Sequence, residues 1–204
     1  MPDALGGEVR EATRKEVADL MRAPDPDAEL VARSKKGDLG AFEELVKRHQ
    51  RPLFSYVYRM LGNPDDAEEL TQVALVRSWD KLKGFKGNSK FKTWLYRIAT
   101  NLCINQVTRR KPTTELPETL HGPETEEPEA EYRRRRREQV VKAAIECLPA
   151  EQRSALMLSV YDNMRYSEIA RAMGKSVRAV DSLLFRAKAN LRKNLAAARR
   201  KGIV

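Results

Sequence analysis

The chain has 204 residues, with 39 Lys+Arg against 29 Asp+Glu, a net charge of +10 and a pI near 9.7. At roughly 100–200 residues per domain, that length holds one large or two small domains. A hydrophobic fraction of 41% can fill compact cores, while a charged fraction of 33% is high for an ordinary globular protein.

No apolar run reaches the ~18 residues of a membrane span, and Met1 to Arg22 carries charges throughout, unlike a secretory signal, so a soluble cytoplasmic protein without a membrane span is expected. Cys103 and Cys147 fall on apolar helical faces, where cysteine acts as a small buried hydrophobe. His49 and His121 lie far in sequence from both cysteines and from each other, which argues against a metal site and against Cys–His catalysis. No cofactor is expected.

Charge divides the chain. Residues 1–26 hold 4 bases and 6 acids and contain Pro24 and Pro26, an N-terminal extension. Residues 27–112 hold 17 bases and 10 acids, residues 113–138 hold 5 and 8, and residues 139–204 hold 13 and 5. Two basic modules thus flank an acidic joint. Every periodic stretch in the modules has helical spacing, which predicts an all-α protein of two small helical domains joined by an acidic flexible linker.

In the first module Phe42, Leu45, Val46, His49, Leu53 and Tyr56 form one helical stripe, with His49 as a packed residue rather than a ligand. Asn63 is placed to cap the next helix, with Pro64 at its first position and Asp65, Asp66, Glu68 and Glu69 where the helix dipole favours negative charge. Its inner face runs through Ala67, Leu70, Ala74 and Trp79. A third helix is expected to begin with Ser89 as cap and to carry Phe91, Trp94, Leu95, Ile98 and Leu102.

Between Leu82 and Arg97, lysines alternate with aromatics and two glycines, a composition in which aromatic faces stack unpaired bases and lysines hold the strand backbone. Phe91 and Trp94 are assigned to the core. The loop Phe85–Lys90 is the better strand-binding candidate, through Phe85, Lys86, Asn88, Ser89 and Lys90. Asn101 and Asn105, one helical turn apart, present two amides on one side where they can reach base edges.

The joint from residue 113 contains Pro117, Pro123 and Pro128, and residues 113–131 hold seven acids and no Lys or Arg, the composition of an extended solvated segment. Arg133 to Arg137 follow, either as a nucleic-acid patch or as the charged first turns of a helix. In the second module Val140, Val141, Ala144, Ile145 and Leu148 line one helix; Pro149 restarts the chain, and Leu156, Leu158 and Val160 line another.

Ala170, Gly174 and Val180 then stand at the spacing of a helix-turn-helix: a small residue for close approach, a glycine for the left-handed turn, and a β-branched residue under the second helix. Ser167 and Ser176 are placed as caps for its two helices. Val177, Val180, Leu184, Ala187 and Leu191 form the inner stripe of the second. The opposite side presents Arg178, Asp181, Ser182, Phe185, Arg186, Lys188 and Arg192. Arginine donates two bonds to guanine, an acid accepts from cytosine, and the bases at 188 and 192 can hold phosphates, so this face suits a major groove.

Taken in order, these segments resemble the extracytoplasmic-function (ECF) sigma factors of bacterial RNA polymerase, of the sigma-70 family, from about Asp27 to Leu195. Ser34–Asp38 followed by Ala41–Val46 resembles the start of sigma region 2. Asp65–Gln72 resembles its polymerase-binding segment, and Phe91–Asn101 its strand-opening segment. Leu148–Arg153 through Tyr166–Ala170 resembles region 4. The resemblance implies that Glu68, Glu69 and Gln72 dock on core RNA polymerase, and that Phe85–Lys90 with Asn101 and Asn105 capture a flipped base of the −10 element. It also implies that Arg178, Asp181, Ser182, Phe185 and Arg186 read the −35 duplex. The acidic linker would thread the polymerase's nucleic-acid channel, an anti-sigma factor would hold the protein inactive, and the chain would have no catalytic site of its own. Asp181 and Leu183 occupy positions where relatives often carry bases.

Two other classes fit the sequence less well. A conventional helix-turn-helix regulator would need a ligand pocket or dimer interface in residues 27–112, where the sequence offers an acidic docking helix. A nucleic-acid enzyme would need clustered catalytic carboxylates, and Asp65, Asp66, Glu68 and Glu69 read instead as a helix start.

Overall fold

The computed structural model of the protein describes residues 25–110 and 129–200. Within them the order is α1 (Ala28–Lys35), α2 (Leu39–Leu61), α3 (Pro64–Lys81), a single 3₁₀ turn (Leu82–Gly84), α4 (Phe91–Arg109), α5 (Glu129–Glu146), α6 (Ala150–Val160), α7 (Tyr166–Met173) and α8 (Val177–Arg200). The all-α expectation holds. No described helix is long and apolar enough to cross a membrane, and no described group of three or more His, Cys, Asp or Glu could hold a metal ion. The readings made for residues 1–24, His121 and most of the acidic joint lie outside the described residues.

Local chemistry sets most boundaries. Asp38 caps α2 by accepting from Ala41 N–H at 3.0 Å, and that bond, with the Arg33 guanidinium, holds its carboxyl below the usual range. Asn63 caps α3 as expected, accepting from Asp66 N–H at 3.0 Å, with Pro64 first in the helix.

The cap of α4 differs from expectation. Ser89 is not the cap; Lys90 occupies that position without a side-chain bond, and the Phe91 N–H donates instead to Asp25 Oδ2 at 2.6 Å, across 66 residues of sequence. A distant carboxylate brought close by folding does better than the local hydroxyl because it bears a full charge at the positive end of the helix. Asp27 is tied down in the same way: it is 3% exposed, with His49 Nε2 at 2.7 Å and Arg48 Nη1 at 3.3 Å. His49 is the packed residue expected, and its ring also lies 5.4 Å from that of Phe91.

Ser167 likewise does not cap α7. Arg165 stands at that position, and its N–H donates to Glu168 Oε2 at 2.9 Å. Gly174 ends α7 in the left-handed region at φ 64°, the conformation glycine takes without cost. Ser176 caps α8 as expected, accepting from Ala179 N–H at 3.2 Å.

The core is continuous. One apolar cluster runs from Val31 and Leu45 through Tyr56, Leu95 and Cys103 to Leu158, Ile169, Val180 and Ala187, so the two basic modules share a buried interior. α2 packs on α3 and α4, and α4 in turn packs on α7 and α6 of the second module. Burial pushes the Cys103 thiol up to about 12, so it stays a neutral thiol. Cys147 is only half-buried. A smaller cluster, Val140 with Ala198 and Leu195, ties α5 to the end of α8.

Beyond the two caps, four sequence assignments change. Val160 and Val177 are 56% and 49% exposed rather than inward, since each stands at a helix end where the stripe has no neighbour to cover it. Residues 129–138 are helical, so that part of the expected extended linker is the start of α5, and Arg133 to Arg137 lie along its first turns. Phe85 is 6% exposed, packed 4.9 Å from Trp94 and 6.4 Å from Phe91 between ring centroids. Its ring belongs to the core, and its loop is closed by Lys35 Nζ donating to its carbonyl at 2.5 Å.

Candidate nucleic-acid interface

α8 supplies the strongest surface. Val180, Leu183, Leu184 and Ala187 are buried, which fixes the rotation of the helix and sends the remaining positions outward. Arg178, Asp181, Ser182, Phe185, Arg186, Lys188 and Arg192 are all exposed, with Phe185 at 75%. At 3.6 residues per turn, residues 178, 181, 182, 185 and 186 form one contiguous stripe. Two of its polar side chains rest on their own helix: the Ser182 hydroxyl donates to Arg178 O at 3.0 Å and Arg186 Nε to Ser182 O at 3.2 Å. Removing Phe185 from water needs a partner surface, as a thymine methyl would provide.

The first module gives two further surfaces. Glu68, Glu69 and Gln72 are exposed on the outer side of α3, opposite the buried Ala67, Thr71 and Ala74. Gln72 Nε2 reaches Glu68 Oε1 at 3.5 Å, so the three form one acidic and amide patch. Lys86 and Asn88 are exposed and Ser89 and Lys90 half-buried in the loop before α4, while Asn101 and Asn105 are exposed on α4 itself. The buried Phe91, Leu95, Ala99 and Cys103 hold the other side of that helix, which keeps both amides outward.

Sequence reasoning missed the polar seam between the modules. Tyr56, with no exposure, places its hydroxyl 2.9 Å from both Thr100 Oγ1 and Ser154 Oγ. The Tyr96 hydroxyl donates to Asp162 Oδ1 at 2.6 Å, and Lys92 Nζ lies 3.5 Å from Asp162 O. Burial pushes both phenols far above their ordinary range and also raises the Asp162 carboxyl, whose Oδ2 has no hydrogen-bond partner among the described residues. Arg153, 6% exposed, donates across the seam to Met60 O at 2.7 Å and within its own module to Glu146 O and Leu148 O. An arginine in an amphipathic helix reads as a surface residue, and only its long-range partners mark it as buried.

An outward face bearing Arg178, Arg186, Lys188 and Arg192, set on the helix after the Gly174 turn and carried by an all-helical body, defines a helix-turn-helix protein. Residues 45–113 match the family model for sigma-70 region 2, and residues 138–191 match that for sigma-70 region 4. The chain is 33% identical over 186 residues to the RNA polymerase sigma-H factor of Pseudomonas aeruginosa, an alignment covering 86% of this chain and 96% of that protein. It is 32% identical to the ECF RNA polymerase sigma factor SigW of Bacillus subtilis (79% of this chain, 92% of that protein) and 35% identical to the ECF RNA polymerase sigma-E factor of Escherichia coli (79% and 90%). Among solved structures, CnrH in complex with the cytosolic domain of CnrY superposes with a TM-score of 0.65 at 26% identity, over 85% of this chain and 99% of that one. Sigma factor RpoE of Bartonella quintana, in complex with the anti-sigma factor NepR, shares the fold with a TM-score of 0.55 at 23% identity, over 76% and 96%. The chain therefore belongs to the sigma-70 family of RNA polymerase sigma factors, in its ECF group. Members of that family are initiation subunits rather than catalysts.

Proposed function

We propose that the protein is an alternative sigma factor that joins core RNA polymerase in the cytoplasm, reads a −35 duplex with α8 and captures the unpaired −10 strand with the loop before α4 and with Asn101 and Asn105. The observation that carries this reading is the unobstructed stripe of α8, because a stabilising role alone does not call for a 75%-exposed phenylalanine among arginines. Phosphate contacts from Lys188 and Arg192 set the register, and Arg178, Asp181, Ser182 and Arg186 face the base edges. In the first module Lys86, Asn88, Ser89 and Lys90 supply the strand contacts. The Phe85 ring supports that loop from inside. Glu68, Glu69 and Gln72 form the polymerase contact. An anti-sigma factor is the proposed regulator, since a chain of this fold was solved in complex with one.

Binding of the full chain, bound to core polymerase, to a −35/−10 promoter fragment tests the duplex contact. Arg186→Ala is expected to weaken it by about 1–3 kcal/mol, roughly 5- to 150-fold, and to relax specificity at one base pair. Affinity unchanged at fixed salt would count against this placement of the recognition stripe. Asn101→Ala separates the two elements: duplex affinity stays, while the open-complex fraction, read by permanganate reactivity of unpaired thymines, drops by about tenfold. Normal opening in that variant would remove Asn101 from the strand-binding role.

A further inference from the structure

Where the modules meet, a cleft of about 640 Å³ lies between the segment Gly84–Arg97 on one side and Ser167–Val177 on the other. Four bases line it, Lys86 and Arg97 from the first module and Arg171 and Lys175 from the second, and no acid does. Lys175 pairs with Glu151 at 2.9 Å. Among the described residues Lys86, Arg97 and Arg171 have no carboxylate within ion-pair distance. Arg97 reaches across to the turn of the helix-turn-helix, its guanidinium lying 3.6 Å from where a Cβ on Gly174 would stand.

Like charges gathered around one concave volume with low-dielectric walls focus a positive potential into it. Such a cleft attracts a compact polyanion. The groups present narrow the choice. Guanidinium forks bind phosphate in two-point fashion, and the Ser167 and Ser176 hydroxyls add polar partners. Ser176 and Val177, at the start of the 24-residue α8, line the same cleft. Trp94, half-buried beside Phe85, supplies an aromatic wall of the kind on which bases stack. The volume is that of a small-molecule site, and too small for a duplex or a folded peptide element.

We propose that this cleft is a binding site for a nucleoside polyphosphate, with the phosphates on Arg97, Arg171 and Lys175 and the base against Trp94. Because Arg97 comes from the first module and Arg171 and Lys175 from the second, the ligand binds the arrangement in which the modules touch more tightly than any in which they part. Linkage then requires it to favour the closed arrangement and to oppose partners that need the modules separated. Trp94, Arg97, Arg171 and Lys175 carry none of the −10, −35 or polymerase contacts proposed above, whereas Lys86, Asn88 and Ser89 line the same cleft and are also proposed strand contacts.

The test is calorimetric titration of ATP and of GTP into the full chain, without DNA or polymerase. Saturable one-to-one binding is expected, weakened about tenfold or more by Arg97→Ala and equally by Arg171→Ala. Both arginines are exposed, so unchanged circular dichroism and melting should accompany each variant. Inorganic tripolyphosphate should bind more weakly than either nucleotide. No saturable binding up to millimolar nucleotide would overturn the proposal, and so would affinity retained in either variant. Tripolyphosphate binding as tightly as nucleotide would overturn the stacking role of Trp94. Tighter binding of an oligoglutamate peptide would reassign the cleft to an acidic protein segment.

Discussion

Reversing the two exposed carboxylates of α3, as Glu68→Lys with Glu69→Lys, should lower the affinity for sigma-free core RNA polymerase by about two orders of magnitude. Both side chains lie on the outer face of the helix, while Ala67, Thr71 and Ala74 hold its inner face, so the change alters charge without touching the core. A like-charge juxtaposition at an interface costs several kcal/mol, and about 2.7 kcal/mol corresponds to a hundredfold. The measurement is competition between this chain and the housekeeping sigma for core polymerase, read by fluorescence anisotropy at fixed salt. The wild-type chain should compete saturably and the double variant should not, with melting temperatures alike. Equal competition by both would move the polymerase contact off α3. Failure of the wild type to compete, together with good affinity for duplex DNA, would favour a conventional helix-turn-helix regulator.

The second large effect is on stability. Arg153 is 6% exposed and its guanidinium serves three backbone carbonyls, Met60 O in the first module and Glu146 O and Leu148 O in the second. Desolvation lowers its pKa, yet an arginine keeps its charge at any pH of interest. Arg153→Ala would leave these carbonyls buried and unsatisfied, a loss of about 2–5 kcal/mol. For a chain of this size each kcal/mol moves the melting temperature by roughly 2–4 °C, so a fall of about 4–20 °C is expected by circular dichroism. Arg153→Lys should recover only part of it, because one ammonium on a flexible stem cannot reproduce the planar fork. A melting temperature within 2 °C of wild type would show that water replaces the guanidinium and that the seam between the modules is not held there.

The seam also explains where reading along the chain succeeds and where it stops. Features that depend on neighbours three to seven residues apart were legible in the sequence. These include the Asn63 and Ser176 caps, the glycine that ends α7, the stripes of α2, α4 and α8, and the outward face from Arg178 to Arg192. Each follows from helical periodicity and from local hydrogen-bonding chemistry, which act over one or two turns. The family resemblance was legible for the same reason, since its motifs are local runs in a fixed order.

Only the tertiary structure decided which side chain supplied a bond over long separations. Asp25 displaces Ser89 as the partner of the α4 N-terminus because folding carries a full negative charge to it across 66 residues. Phe85, expected in an exposed loop, is buried because Phe91 and Trp94 lie close enough to cover it. Tyr56, Tyr96, Arg153 and Asp162 become a buried polar seam because the two modules share one core. The sequence by itself determined an all-helical protein with a helix-turn-helix and an acidic helix start, since periodicity and capping are local. Tertiary structure decided that the modules close on one another and that Lys86, Arg97, Arg171 and Lys175 line a single cleft, because the energy of a buried contact depends on which surfaces meet in space rather than on their spacing along the chain.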